Sequence, residues 1–252
     1  MSQDSADSWL LAAFADPAHE LWGLIGGGAE RRAAVRRLGP PAVEPADDAE
    51  SRAWRPAPEL ALSAAGGAED AVSANAGAED VLRLLRVSGT HRGSGEPLAL
   101  EAPAVVYVGP TVAKLDSIRI LVAWFPDDRT VALSAVRSRG GHADKDVVSV
   151  LVTGAGVVPD DPVAPGEPEP LQVFDPRLST TYDGHGVPLR AGLELWLGPD
   201  EDSDQRPLRV SSESTGDRLA GEVGNLSLEA YAQRCHSRGQ NGIGIYALLR
   251  PY

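Results

Sequence analysis

The residues of this chain that could move a proton are scattered, and Asp116, His142, Asp183 and Glu194 are the candidates for acid/base work. Placed in an apolar cavity, a carboxylic acid keeps its proton to higher pH, because burial disfavours the charged form; that makes it a donor near neutrality. Tyr107, Trp124, Arg137, Tyr182, Arg190 and Trp196 are the side chains expected to line such a cavity. The ring faces of Tyr107, Trp124 and Trp196 could steady a developing cation. Each has an ordinary alternative: core packing for Trp124 and Trp196, and an ion pair between Arg190 and Glu194.

Other chemistries lack their required residues. The run Gly26-Gly27-Gly28 is followed by Ala29, Glu30 and two arginines, not by the Lys and Ser/Thr that a phosphate loop needs. No GxGxxG follows a strand, so a dinucleotide site is unsupported. His142, Asp144 and Asp146 alternate and could offer a nitrogen and two oxygens to a metal, but the same residues make a polar loop leading into DVVSVLV. The acidic run at 200–204 lacks the glycine and glutamate of a calcium loop. There is no GxSxG elbow, and Cys235 and His236, as neighbours on a strand, point to opposite faces. The expectation is no metal and no organic cofactor.

Composition bounds the partners. The chain has 252 residues, a net charge of −13 and two lysines, Lys114 and Lys145. That field repels nucleic acid and anionic membrane. One cysteine, Cys235, rules out an internal disulfide, and the opening MSQDSADSW has no basic-then-apolar leader; both favour a reducing, cytoplasmic setting. No apolar run approaches the roughly 20 residues of a membrane-crossing helix. A hydrophobic small molecule is the expected partner, bound by a monomer or homodimer.

The elements that must position these residues are short strands. From Val81 onward, period-two runs alternate with turn clusters: VLRLLRVSG, ALEAPAVVYVG, SIRILVAWF, TVALSAVRS, DVVSVLVTG, LELWLG, LRVSSES and IGIYALL. This spacing predicts an antiparallel barrel or sandwich with little helix. The clearest element is a hairpin over Ser117 to Ser138, turning at Pro126-Asp127-Asp128. A long strand over Pro188 to Leu197 follows the turn Asp183-Gly184-His185-Gly186, with one greasy and one mixed face. The last hairpin turns at SRGQNG. Residues 41–77 read as loop with a strand at PELALSA, and 157–170 as an acidic, proline-rich excursion. For 29–38 two readings stand: a helix ending at Gly39-Pro40, or WGLI and RAAVRRL as strands joined by the glycine turn.

Three stretches carry a family resemblance: SIRILVAWFPDDRTVALSAVRSRGGHADKDVV, DPRLSTTYDGHGVPLRAGLELWLG and the ending GIGIYALLRPY. Together they resemble the lipocalin-like superfamily of hydroxyneurosporene synthase (carotenoid hydratase) and AttH-like proteins, over roughly Ser117 to Tyr252. The resemblance implies two packed lipocalin-like barrels or half-barrels: an N-terminal β-rich half over 1–108, containing the loop at 41–77, and a C-terminal barrel over 109–252. It also implies relatives that hydrate, cyclise or rearrange polyenes or terpenoids without an organic cofactor.

Joined to the residues, this gives the expected function. The chain reads as a cofactor-independent biosynthetic enzyme acting on a polyene, polyketide or terpenoid by proton transfer, as a hydratase, isomerase or cyclase. The alternative is a non-catalytic protein that binds or sequesters such a molecule.

Overall fold

The computed structural model describes residues 9–17, 19–27, 31–38, 55–56, 60–64, 72–75, 81–91, 98–108, 115–142, 146–154, 172–198 and 207–252. The excursion at 157–170, the acidic run at 200–204, Asp144 and most of 41–77 lie outside them. The described residues form sixteen strands and no helix.

Seven strands make the first sheet: β1 (Leu10–Asp16), β2 (Leu21–Gly27), β3 (Arg31–Arg37), β4 (Arg55–Pro56), β5 (Leu60–Ala64), β7 (Val81–His91) and β8 (Leu98–Val108), in the order β4-β3-β2-β1-β8-β7-β5. Residues 21–37 are thus two strands, as the second of the two readings has it. β3 pairs with β2 so that Gly23 faces Val35. Ala33 and Ala34 are both buried, in different cores. A helix would bury one face, and burial on two sides overrides the local helical preference of this Ala- and Arg-rich run.

The second sheet has nine strands. They are β6 (Val72–Asn75), β9 (Leu115–Trp124), β10 (Thr130–Ser138), β11 (Val147–Thr153), β12 (Gln172–Tyr182), β13 (Pro188–Gly198), β14 (Leu208–Val223), β15 (Leu226–Ser237) and β16 (Gln240–Pro251). Their order is β12-β13-β14-β15-β16-β9-β10-β11-β6, and every pairing is antiparallel. Edge strand β12 returns against β6 and β11 at the other edge, so the sheet nearly closes. The molecule is an open half-barrel packed on a nearly closed barrel, the lipocalin-like pair that the sequence predicts, with β6 crossing from the first half of the chain to finish the second sheet.

Alternation explains three apolar layers. Ile118, Ile120, Val122 and Trp124 of β9 face the first sheet and meet Leu11, Ala13, Trp22, Leu24, Val105 and Tyr107 in one seam. The opposite face of β9, Leu121 and Ala123, points into the barrel. Val131 and Leu133 pair with Ala123 and Leu121, so the returning strand of the hairpin sends them into the barrel and not to the Ile118 face. Ala12, Phe14, Ile25, Val87, Ala104 and Val106 fill the hollow of the half-barrel. Strands buried on both faces read as continuous apolar runs, which is why β9 and β10 look so greasy in sequence.

The barrel interior is polar at one end. Asp146, immediately before β11, has a side chain 4% exposed. It accepts from Arg119 Nη2 at 2.5 Å and from Arg137 Nε and Nη2 at 2.9 and 3.0 Å. This ties the start of β11 to β9 and β10. Beside it the Tyr182 hydroxyl of β12 lies 2.8 Å from that of Tyr246 on β16, linking strands far apart in the sheet order.

Removing one member of a buried charge cluster leaves the others uncompensated. Asp146→Ala is expected to cost about 3 kcal/mol or more by that argument. Arg209→Ala, which breaks an exposed pair with Glu194, should cost less than about 1 kcal/mol. Urea unfolding of the two variants checks the difference.

Candidate functional site

A ligand site needs room, and the middle of the barrel has none. Leu121, Leu133, Val150, Val152, Leu195 and Tyr246 are 0% exposed, so the centre is packed with side chains. The hollow expected from the alternating polar face is displaced. Room exists instead at the end of the seam, where a cleft of about 510 Å³ opens between the sheets. That volume suits a small organic ligand.

The cleft is built from the middle of β7 and β8, the end of β1 and the turn of the β9–β10 hairpin. Leu84, Leu85 and Pro103 of the first sheet face Trp124, Phe125 and Pro126 of the β9–β10 hairpin across it. Polar groups stand among them: Asp16, Arg86, Glu101, Asp128, Thr130 and Thr153. Trp124 is 1% exposed, and its buried indole N–H has no hydrogen-bond partner. An orphaned buried donor costs about 1–3 kcal/mol. Phe125 is held in place by Arg129, whose guanidinium sits 4.5 Å from the ring centroid. Arg129 is itself buried, which lowers its pKa below the usual arginine range.

One pair on the rim has the form of an acid/base device. At the end of β1, Asp16 Oδ1 accepts from the His19 backbone N–H at 3.2 Å, and Oδ2 lies 2.5 Å from His19 Nδ1. A carboxylate can only accept, so Nδ1 carries the hydrogen and Nε2 is left as the basic nitrogen. Glu101 is paired with Arg86 at 3.3 Å. The sequence reading passed over Asp16 and His19, although a carboxylate and an imidazole three residues apart across a turn is a visible local signal.

The sequence-derived candidates fall in several places. Trp124 lines the cleft. Tyr107 lies inside the seam, 1% exposed, its ring 5.5 Å from that of Trp9. Arg137 and Tyr182 meet at the polar end of the barrel, where the hydrogen bond to Asp146 holds the guanidinium pKa above its usual range. The nearby Asp116 is exposed and adds to that effect by its charge. Asp183 accepts from the backbone N–H groups of His185 and Val187, both at 2.8 Å. Those bonds hold its carboxyl below the usual range, the opposite of what a proton donor at neutrality needs. His142 is exposed on the loop after β10. Asp146, read as one possible metal ligand beside it, is occupied by Arg119 and Arg137, and the described residues hold no metal-ligating cluster.

Arg190, Glu194 and Trp196 share the outer face of β13. The expected ion pair between Arg190 and Glu194 is replaced by two cross-strand pairs, Arg190 with Glu213 at 2.6 Å and Glu194 with Arg209 at 2.7 Å. Four residues along a strand span about 13 Å, whereas directly opposed residues are about 5 Å apart, so the partner is found on the next strand.

The sequence matches no family model and no curated protein. Among solved structures, the fold is similar to kievitone hydratase of Nectria haematococca, with a TM-score of 0.48, 12% identity and coverage of 97% of this chain and 89% of that one. It is also similar to an AttH-like protein of Nitrosomonas europaea, with a TM-score of 0.46, 12% identity and coverage of 100% of this chain and 94% of that one.

Cys235 belongs to the barrel core. Burial pushes its thiol pKa up to about 12, and the thiolate is the reactive form. At pH 8 the folded protein should therefore not react with a disulfide reagent such as DTNB, and should release one equivalent of thiol on unfolding in guanidinium. Rapid reaction of the folded protein would contradict this burial.

Proposed function

We propose that the protein takes a hydrophobic natural-product intermediate, of the polyene, polyketide or terpenoid class, into the cleft between its sheets and moves a proton on it. The observation that carries this reading is the cleft of about 510 Å³ walled by Leu84, Leu85, Pro103, Trp124, Phe125 and Pro126, with Asp16 among its lining residues and His19 bonded to Asp16. The aromatic and proline walls exclude water from a nonpolar ligand.

The chemistry follows from the rim. The His19 imidazolium, oriented by Asp16, gives a proton to an unsaturated carbon, and the Trp124 ring steadies the resulting cation. Loss of a proton from a neighbouring carbon back to the imidazole completes an isomerisation. Attack by a second double bond before that loss makes it a cyclisation. Addition of water, with its proton returned to the imidazole, makes it a hydration. Asp116, His142, Asp183 and Glu194 do not line the cleft; the proton-moving role passes to Asp16, which does, and to the exposed imidazole of His19 bonded to it.

The second reading is a binding protein that performs no chemistry. It is favoured by the carboxylates already being partnered, Asp16 with His19 and Glu101 with Arg86.

A panel of polyene and terpenoid alcohols, followed by tryptophan quenching and by mass spectrometry, separates these readings. Binding should be abolished by Leu84→Trp, which fills the cleft. Product, seen as an isomer or as the gain of one water, should fall about 100-fold in Asp16→Asn with binding retained. Binding without product in the parent protein leaves the binder, and binding undiminished in Leu84→Trp rejects the cleft.

A further inference from the structure

The outer face of β12–β15 carries a second recess, of about 590 Å³, which runs on into a neighbouring one of about 470 Å³ through the shared residues Ser179, Gly192, Ser211 and His236. The strand register explains its shape. Ser179 opposes Gly192, Gly192 opposes Ser211, Ser211 opposes His236 and His236 opposes Asn241. This polar row crosses five strands, a distance of about 19 Å. One flanking row is Arg190, Glu213 and Arg234; the other is Arg177, Glu194 and Arg209. Long charged side chains on both sides of short polar ones turn a convex barrel surface into a trench.

The walls are cationic on a chain whose net charge is −13. Arg177, Arg190, Arg209, Arg234 and Arg238 line the two recesses against Glu194 and Glu213. Arg190 and Arg209 are paired with those glutamates, and Arg177 with Asp175. Arg234 has no carboxylate partner among the described residues, which leaves one guanidinium fork unused in the trench wall. On the floor, His236 Nδ1 lies 3.1 Å from Asn241 Oδ1, so the imidazole is held upright. Trp196, 37% exposed, stands on the same outer face two residues beyond Glu194.

We propose that this trench binds an extended, hydroxyl-rich chain bearing carboxylates, that is, an acidic oligosaccharide. Hydroxyl, imidazole and amide groups on the floor match sugar hydroxyls in both donor and acceptor sense. The Arg234 fork receives a carboxylate in bidentate fashion. An acidic peptide fits less well. The floor strands have their backbone groups committed to the sheet, so no strand can be added there.

Calorimetric titration of the full chain with oligogalacturonate at low salt tests this. Binding is expected, absent for neutral maltohexaose and for polyglutamate. Arg234→Glu, an exposed substitution that breaks no ion pair, should weaken it tenfold or more. Gly192→Leu, which fills the trench floor, should abolish it with the circular dichroism spectrum unchanged. Leu84→Trp, in the other cleft, should leave it intact, so this site and the hydrophobic cleft fail independently. No binding, equal binding of polyglutamate, or insensitivity to Arg234→Glu would overturn the proposal.

Discussion

Strands β9, β10 and β16 are buried on both faces, and the seam this creates between the two sheets is the constraint on which the molecule depends. One face of each strand fills the barrel and the other meets β1, β2 and β8. Neither sheet could expose its share of the seam to water without a large apolar patch. Three of the five tryptophans, Trp9, Trp22 and Trp124, lie in this seam with buried indole N–H groups that have no partner. Those orphans oppose the burial that holds the sheets together. Beside Trp124 the seam opens into the cleft.

The barrel itself is the rigid half of the arrangement. Its centre is filled by leucine, valine and tyrosine, and its polar end is pinned by Asp146 between two arginines and by the Tyr182–Tyr246 hydrogen bond. Burial raises the Tyr246 phenol well above its usual range, so it stays neutral and serves as a hydrogen-bonding strut. Around this packed barrel lie two recesses: the seam cleft, where aromatic and proline side chains stand among polar ones, and the outer trench, flanked by arginine and glutamate side chains.

Much of this architecture was legible in the sequence, because period-two alternation from Val81 onward leaves few alternatives to antiparallel sheets. The hairpin at 117–138, the long strand after Asp183 and the last hairpin stand where the alternation puts them. The segment at 29–38 was undecided because seven residues of Ala, Val and Arg fit either state; pairing with β2 decides it. Facing was the harder problem. Tyr107 and Trp124 read as ligand walls, yet one is core and the other is both core and wall, because a second sheet covers the face that a lone barrel would turn to solvent. The Arg234 guanidinium was invisible for a related reason. Its meaning comes from neighbours across a strand register, and a linear pattern does not carry those neighbours.

The most direct test of the seam as the ligand site is photoaffinity labelling with a diazirine-bearing polyene alcohol, with the crosslinked peptides mapped by mass spectrometry. Labels confined to 16–17, 84–86, 101–103, 124–130 and Thr153, the segments that line the cleft, are the predicted result. Labels on the strands β12–β15, or within the barrel at Leu121, Leu133 and Leu195, would contradict it.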